Sequence, residues 1–102
     1  MEEELEKCLE ELKNVIEPET GLPIISLGLI RVNKNEKEMV ITYIPISAYT
    51  SPILVISVGL QIIKECKKAK VIIDNYYLKD EINKRFEEIR NELSRISSET
   101  AI

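Results

Sequence analysis

Chemistry in this chain rests on hydroxyls, carboxylates, lysines and two cysteines, because it contains no histidine and no tryptophan. Without histidine there is no Ser-His-Asp triad, no imidazole general base and no paired-histidine metal site. Cys8 and Cys66 lie 58 residues apart, so no CxxC or CxxxC spacing exists to nucleate a zinc or cluster site. They read in one of two ways. Either both are cluster ligands, gathered across a dimer, or both are small apolar fillers, Cys8 beside a leucine stripe and Cys66 near a helix end. Glu17 and Glu19 flank Pro18. Two carboxylates at that spacing can flank a hard cation, contact a partner's basic side chain, or simply order their loop. Ser47, Thr50 and Ser51 gather in Ser47-Ala48-Tyr49-Thr50-Ser51-Pro52. A serine before a proline is a helix N-cap followed by its first helical residue. The same hydroxyl can also donate to a ligand at the helix N-terminus. Ser47 and Thr50 either line that pocket or satisfy loop backbone groups. No nucleophile–base pair and no glycine-rich phosphate loop is present, so the chain is not expected to be an enzyme.

The elements that must hold these residues follow from composition and periodicity. With 102 residues, 44% of them hydrophobic and 31% charged, the chain suits one modest core. The expectation is a single domain over 1–102, with a core about 5–96 and a frayed tail at 97–102. Fourteen basic residues against eighteen acidic ones leave a net charge of −4, which weighs against nucleic acid as a partner. No apolar run reaches the ~18–20 residues that span a bilayer, so no membrane partner is expected. Two cysteines and an acidic start, Met1-Glu2-Glu3-Glu4, unlike a signal n-region, read as a reduced, cytoplasmic protein.

Charge is uneven. Residues 1–19 carry eight glutamates against Lys7 and Lys13, and residues 64–70 carry four lysines against Glu65. Each stretch is either a docking face or a solvated helix surface.

Leu5, Leu9, Leu12 and Ile16 share one helical face and predict a helix over 3–16, stopped by Glu17-Pro18. The 17–29 loop is apolar, and Ile24, Ile25, Leu27 and Leu29 should tuck inward. Gly28 should provide a backbone angle or a close approach. Ile30–Asn33 and Glu38–Ile46 form a hairpin about an asparagine turn. Ile53–Ile63 is β-branched like a strand, but its length and Ser-Pro start favour a buried helix. Residues 70–73 make a third strand, buried on both faces. Ile82, Phe86, Ile89, Leu93 and Ile96 stripe a final helix over 79–96. Tyr76-Tyr77 is either a docking anchor or packing beneath that helix. The order α-β-β-α-β-α makes a two-layer α+β domain, a small mixed sheet covered by helices.

Two stretches carry a family resemblance. Glu17-Pro18-Glu19-Thr20-Gly21 followed by Ile24-Ile25-Ser26-Leu27-Gly28-Leu29-Ile30 resembles the "DPE…DLGL" signature of the SufT/PaaD-like metal–sulfur cluster assembly family. That family was long catalogued as a domain of unknown function. Its fold has the same element order, and the similarity covers residues 5–74. The family's second motif, a threonine, small residues and Cys-Pro, aligns with Ser47 through Pro52. Ser51 stands at the cysteine position, and Ser47 at the threonine. Glu17 replaces the first aspartate, and Ser26 the second. The resemblance implies binding positions at Glu17, Glu19, Gly28, Ser47, Thr50 and Ser51. A serine hydroxyl is neither the soft ligand nor the nucleophile that a thiolate is. The expected function is therefore an accessory or adaptor role in iron–sulfur cluster assembly, through protein contacts and without a cluster or other cofactor of its own. Expected partners are assembly factors or client apoproteins, and a homodimer is compatible. The alternatives are a cluster or metal carrier using Cys8 and Cys66, or a pure interaction module.

Overall fold

A computed structural model describes the backbone of residues 2–100 and the side chains of residues 3–96. Helix α1 spans Glu2–Leu12, with Glu3 and Glu4 in its first turn at the positive end of the helix dipole. It ends four residues earlier than its leucine stripe predicts. Lys13, Asn14 and Val15 donate to Glu10, Glu11 and Leu12, three residues back, which tightens and terminates the last turn. The consequence is a change of partner. Val15 is buried, whereas Ile16 leaves the helix and is exposed.

Two short strands not foreseen from the sequence follow. β1 (Ile16–Glu17) pairs antiparallel with β2 (Leu22–Pro23), closed by Gly21 at φ 74°. After them Ile24 is fully buried, while Ile25, Leu27 and Leu29 are half-buried. Gly28 has φ 71°, and nothing lies within 4 Å of where its Cβ would be. Its role is thus the left-handed backbone angle, not a close approach.

β3 (Ile30–Lys34) and β4 (Met39–Tyr43) form the expected hairpin, in register from Ile30↔Tyr43 to Lys34↔Met39. Asn35 makes the turn, its Oδ1 accepting from the Lys37 and Glu38 amides. Helix α2 (Pro52–Glu65) then crosses over, which decides the ambiguous 53–63 stretch in favour of helix. It delivers β5 (Ala69–Ile73) parallel to β4. The sheet order is β3-β4-β5, a mixed sheet packed against helices in an α+β domain.

β5 is buried on one face only. Ala69, Val71 and Ile73 are inside, but Lys70 and Ile72 are half-exposed, because helices cover a single side of the sheet. β5 is also an edge strand. Asn83 meets that edge, its Oδ1 accepting from the Ile73 amide at 2.7 Å and its Nδ2 donating to the Ile73 carbonyl at 2.9 Å.

Asn83 belongs to α3 (Lys79–Thr100), so residues 97–100 continue the helix where a frayed tail was expected. Ala101 and Ile102, also assigned to that tail, lie outside the described residues. No described helix is long and apolar enough to cross a membrane.

Two features of the core change the sequence reading. First, Cys8 and Cys66 are joined by a disulfide, with Cα atoms 5.0 Å apart. The bond ties the middle of α1 to the C-cap of α2, and both residues are buried. The chain is therefore not reduced as drawn from its cysteine count. The cytoplasmic expectation loses that premise, since outside hyperthermophiles such bonds persist in oxidising compartments. Second, Gly59 of α2 faces the Phe86 ring of α3 directly, so the absence of a side chain there sets how closely the two helices pack.

Candidate functional site

Both motif stretches meet at one end of the sheet, and the backbone explains why. Ile30 pairs with Tyr43, so the 24–29 loop enters beside the point where β4 ends. The Ile44 amide donates to the Leu29 carbonyl at 2.9 Å, joining the first loop to the segment that leads into the second.

Glu17 anchors the first loop. It is fully buried. Its Oε2 accepts from the Glu19 amide at 3.0 Å and its Oε1 from the Thr20 amide at 2.7 Å. The Gly21 amide bonds its carbonyl at 2.8 Å. A carboxylate committed to two backbone donors orders its own loop. Both its oxygens are taken up in this way, which leaves it poorly placed to hold a cation. Glu19 and Gly28 are exposed on the same loop. Among the described residues, no three Asp, Glu or Cys side chains gather where they could hold a metal ion.

Tyr43 lies against this loop inside the core. Burial pushes its phenol from 10.0 up to about 12, and the negative charges of Glu17 and Glu19 add to the shift. The sign has a testable consequence. A raised pKa means that the folded state holds the proton through a range where the unfolded chain has released it. The contribution is complete below pH 10 and is lost as pH rises from 10 toward 12. Urea unfolding across that range should show wild type losing stability faster than Tyr43→Phe. Parallel profiles for the two proteins would mean that this phenol is not linked to folding.

The second loop is held from beneath by Tyr76. Its hydroxyl donates to the Thr50 carbonyl, and its pKa is raised chiefly by burial. Thr50 is buried, and its Oγ1 accepts from the Ser47 amide at 3.1 Å. The Ser47 hydroxyl accepts from the Tyr49 amide at 3.1 Å. The Tyr77 amide donates to the Ala48 carbonyl at 3.3 Å. Ser47 and Thr50 thus satisfy loop backbone groups, the plainer of the two roles open to them. Tyr76 and Tyr77 divide the two roles open to that pair, Tyr76 packing inside and Tyr77 facing out.

Ser51 departs from expectation. It occupies the N-cap position of α2, with Pro52 following, yet its side chain makes no cap hydrogen bond. Its carbonyl accepts from the Leu54 and Val55 amides at 3.0 and 3.1 Å. The hydroxyl stands on the exposed rim of the loop.

Several large apolar side chains of this loop and its flanking segments are exposed. Tyr49 is 79% exposed, Ile53 77%, Tyr77 54% and Ile46 40%. The Tyr49 and Tyr77 rings pack with centroids 5.5 Å apart, joining the loop to the turn that precedes α3. Large apolar side chains left exposed on and beside a pinned loop are a feature that the burial of apolar surface does not by itself account for. Sequence reasoning passed over Tyr49 and Ile53. The available signal was an aromatic within a small-residue loop, with an isoleucine four residues later.

The cysteines, in contrast, lie away from this end of the sheet, at the C-terminal end of α2, and are bonded to each other. Buried and bonded to each other, they present no free thiolate in this structure. No protein-family model, no curated protein and no solved structure matches this chain.

Proposed function

We propose that this chain is an accessory protein of iron–sulfur cluster assembly that works by docking other proteins and ligates no cluster itself. The observation that carries the docking role is the exposed Tyr49–Ile53–Tyr77 patch beside Ser51. The assembly role is supported by the resemblance of the Glu17–Ile30 and Ser47–Pro52 stretches to the SufT/PaaD-like family. With serine at the motif cysteine position, helix α2 presents a neutral hydroxyl where that family presents a thiol.

The test uses Tyr49→Ala and Ile53→Asp together. Both side chains are exposed, so the fold should survive. In a host deleted for the protein, cluster-dependent enzymes should lose activity, and wild type but not the double variant should restore it. Capture of cluster-assembly proteins by the tagged chain should fall by about tenfold or more in the variant, since a central aromatic or aliphatic anchor is worth 1–2 kcal/mol or more. Full restoration by the variant would refute the docking role. A second reading, an interaction module outside cluster assembly, is favoured by the same serine. It would be shown by loss of partners with cluster enzymes unaffected.

A further inference from the structure

A lysine ridge, Lys64, Lys67 and Lys68, divides two depressions on the face remote from the Ser51 loop. One flank is a depression of about 450 Å³ walled on its far side by the chain's own α1. Glu4 of α1 pairs with Lys68 at 2.9 Å, and Cys8 bonds Cys66 at the foot of the ridge. The leucines of α1 turn inward, Leu12 fully buried and Leu5 and Leu9 packed against the core. On this flank the ridge takes one glutamate of a short acidic helix, through Lys68, while the leucines of that helix pack on the core.

Among the described residues the other flank is the larger opening. It is a groove of about 760 Å³ between α2, β5 and α3. Its floor includes Ile63, Val71, Phe86 and Ile89, and its walls include Leu60 and Leu93, 39% and 46% exposed. Lys64, Lys67 and Lys68 rim one side and Arg90 the other, where Arg90 pairs with the one acid of the lining, Glu87, at 3.6 Å. Among the described residues Lys64 and Lys67 form no ion pair. The α3 stripe explains why the groove stays open. Ile82, Phe86, Ile89, Leu93 and Ile96 repeat at spacings of four and three, the seam of a helix that expects a helical neighbour. Ile82 and Phe86 are buried against the body, Ile89 is half-buried, and Leu93 and Ile96 are exposed.

We propose that this groove docks an acidic amphipathic helix of a partner protein. Leucines would enter between Leu60 and Leu93, and glutamates would meet Lys64 and Lys67. The glutamate–lysine pairing is of the kind that Glu4 makes with Lys68 on the opposite flank. A second copy of this chain fits less well, because mating two such faces would oppose two lysine ridges. The proposal does not rest on the iron–sulfur reading and uses none of the residues around Ser51.

The probe is a fluorescent peptide of residues 2–16 carrying Cys8→Ser, titrated with the intact, disulfide-bonded protein. The protein's own α1 is held covalently, so the peptide reports on the open groove. Saturable binding is expected, weakened about tenfold or more by Leu60→Asp, by Leu93→Asp and by Lys64→Glu with Lys67→Glu. Added salt should weaken it as well. A peptide with its glutamates changed to lysine should not bind. All four substituted side chains are exposed, and circular dichroism of each variant would verify its fold. Absence of saturable binding, or binding indifferent to every groove variant, would overturn the proposal. So would sedimentation showing a wild-type dimer that Leu93→Asp converts to monomer, which would give the face to a second copy.

Discussion

Replacing Cys8 and Cys66 together by alanine should lower the melting temperature by roughly 15–30 °C. The bond closes a loop with a sequence separation of 58, more than half of the chain. In the chain-entropy account, a loop of that length restricts the unfolded ensemble by about 4 kcal/mol. For a domain of this size each kcal/mol moves the midpoint by about 4–8 °C. Alanine at both positions is preferable to a single serine, since it leaves neither an unpaired thiol nor a buried hydroxyl in a site that is 2–3% exposed. Helix α1 should respond most. It lies outside the sheet and meets the body mainly along α2, so its position depends on the bond more than that of any strand. Calorimetry with and without reductant checks this directly. Reductant should bring wild type down toward the double variant and leave the variant unmoved. Amide exchange should accelerate in α1 before it does in β4 and β5. A variant that melts within a few degrees of wild type would show that the loop closure contributes little.

Gly59→Ala should destabilise the protein by about 1–3 kcal/mol, although alanine is the better helix former by about 1 kcal/mol. A Cβ at Gly59 would fall 2.3 Å from Cζ and 2.4 Å from Cε2 of Phe86. Those are ring atoms of a side chain that is 2% exposed, so the ring has no solvent to swing into. The helices must part, or Phe86 must adopt a strained rotamer. The attribution can be checked by a cycle with Phe86→Leu. Leucine shortens the side chain where the clash occurs, at the cost of some cavity when made alone. The double variant should therefore be more stable than the sum of the single effects requires, with a coupling of about 0.5–3 kcal/mol in urea unfolding. Additive effects would mean that Gly59 matters for a reason other than this ring.

The elements of the fold were legible because they are written in neighbours. The alternation of Met39, Ile41 and Tyr43 marks a strand face, and all three are buried. The Asn35 turn and the Ser51-Pro52 helix start need only a few adjacent residues to act. The 4-3-4-3 spacing of Ile82 through Ile96 is enough to make a helix. Where that local logic weakened, so did the reading. The stripe of α1 runs on to Ile16, but the chain turns at Lys13-Asn14 and takes Ile16 out of it. The short strands β1 and β2 are two residues each, below what periodicity can show.

The site was less legible, since its properties belong to distances across the fold. Glu17 stands beside a proline in a polar stretch, and nothing local says that it is buried or that both oxygens are taken by amides. Ser51 has the sequence of a capping serine, and only the geometry of the turn leaves its hydroxyl unused for that purpose. Tyr76 and Tyr77 are adjacent and chemically identical, but one points under Thr50 and the other into solvent, because side chains one residue apart face different ways. The pairing of Cys8 with Cys66, the hole at Gly59 that Phe86 fills, and the groove between the lysine ridge and α3 all join residues far apart in the chain. Local propensity has a reach of a few residues. Which helix lies against which, and therefore which thiols meet, which glycine is required and which apolar face is left without a neighbour, is settled by the packing of the whole core.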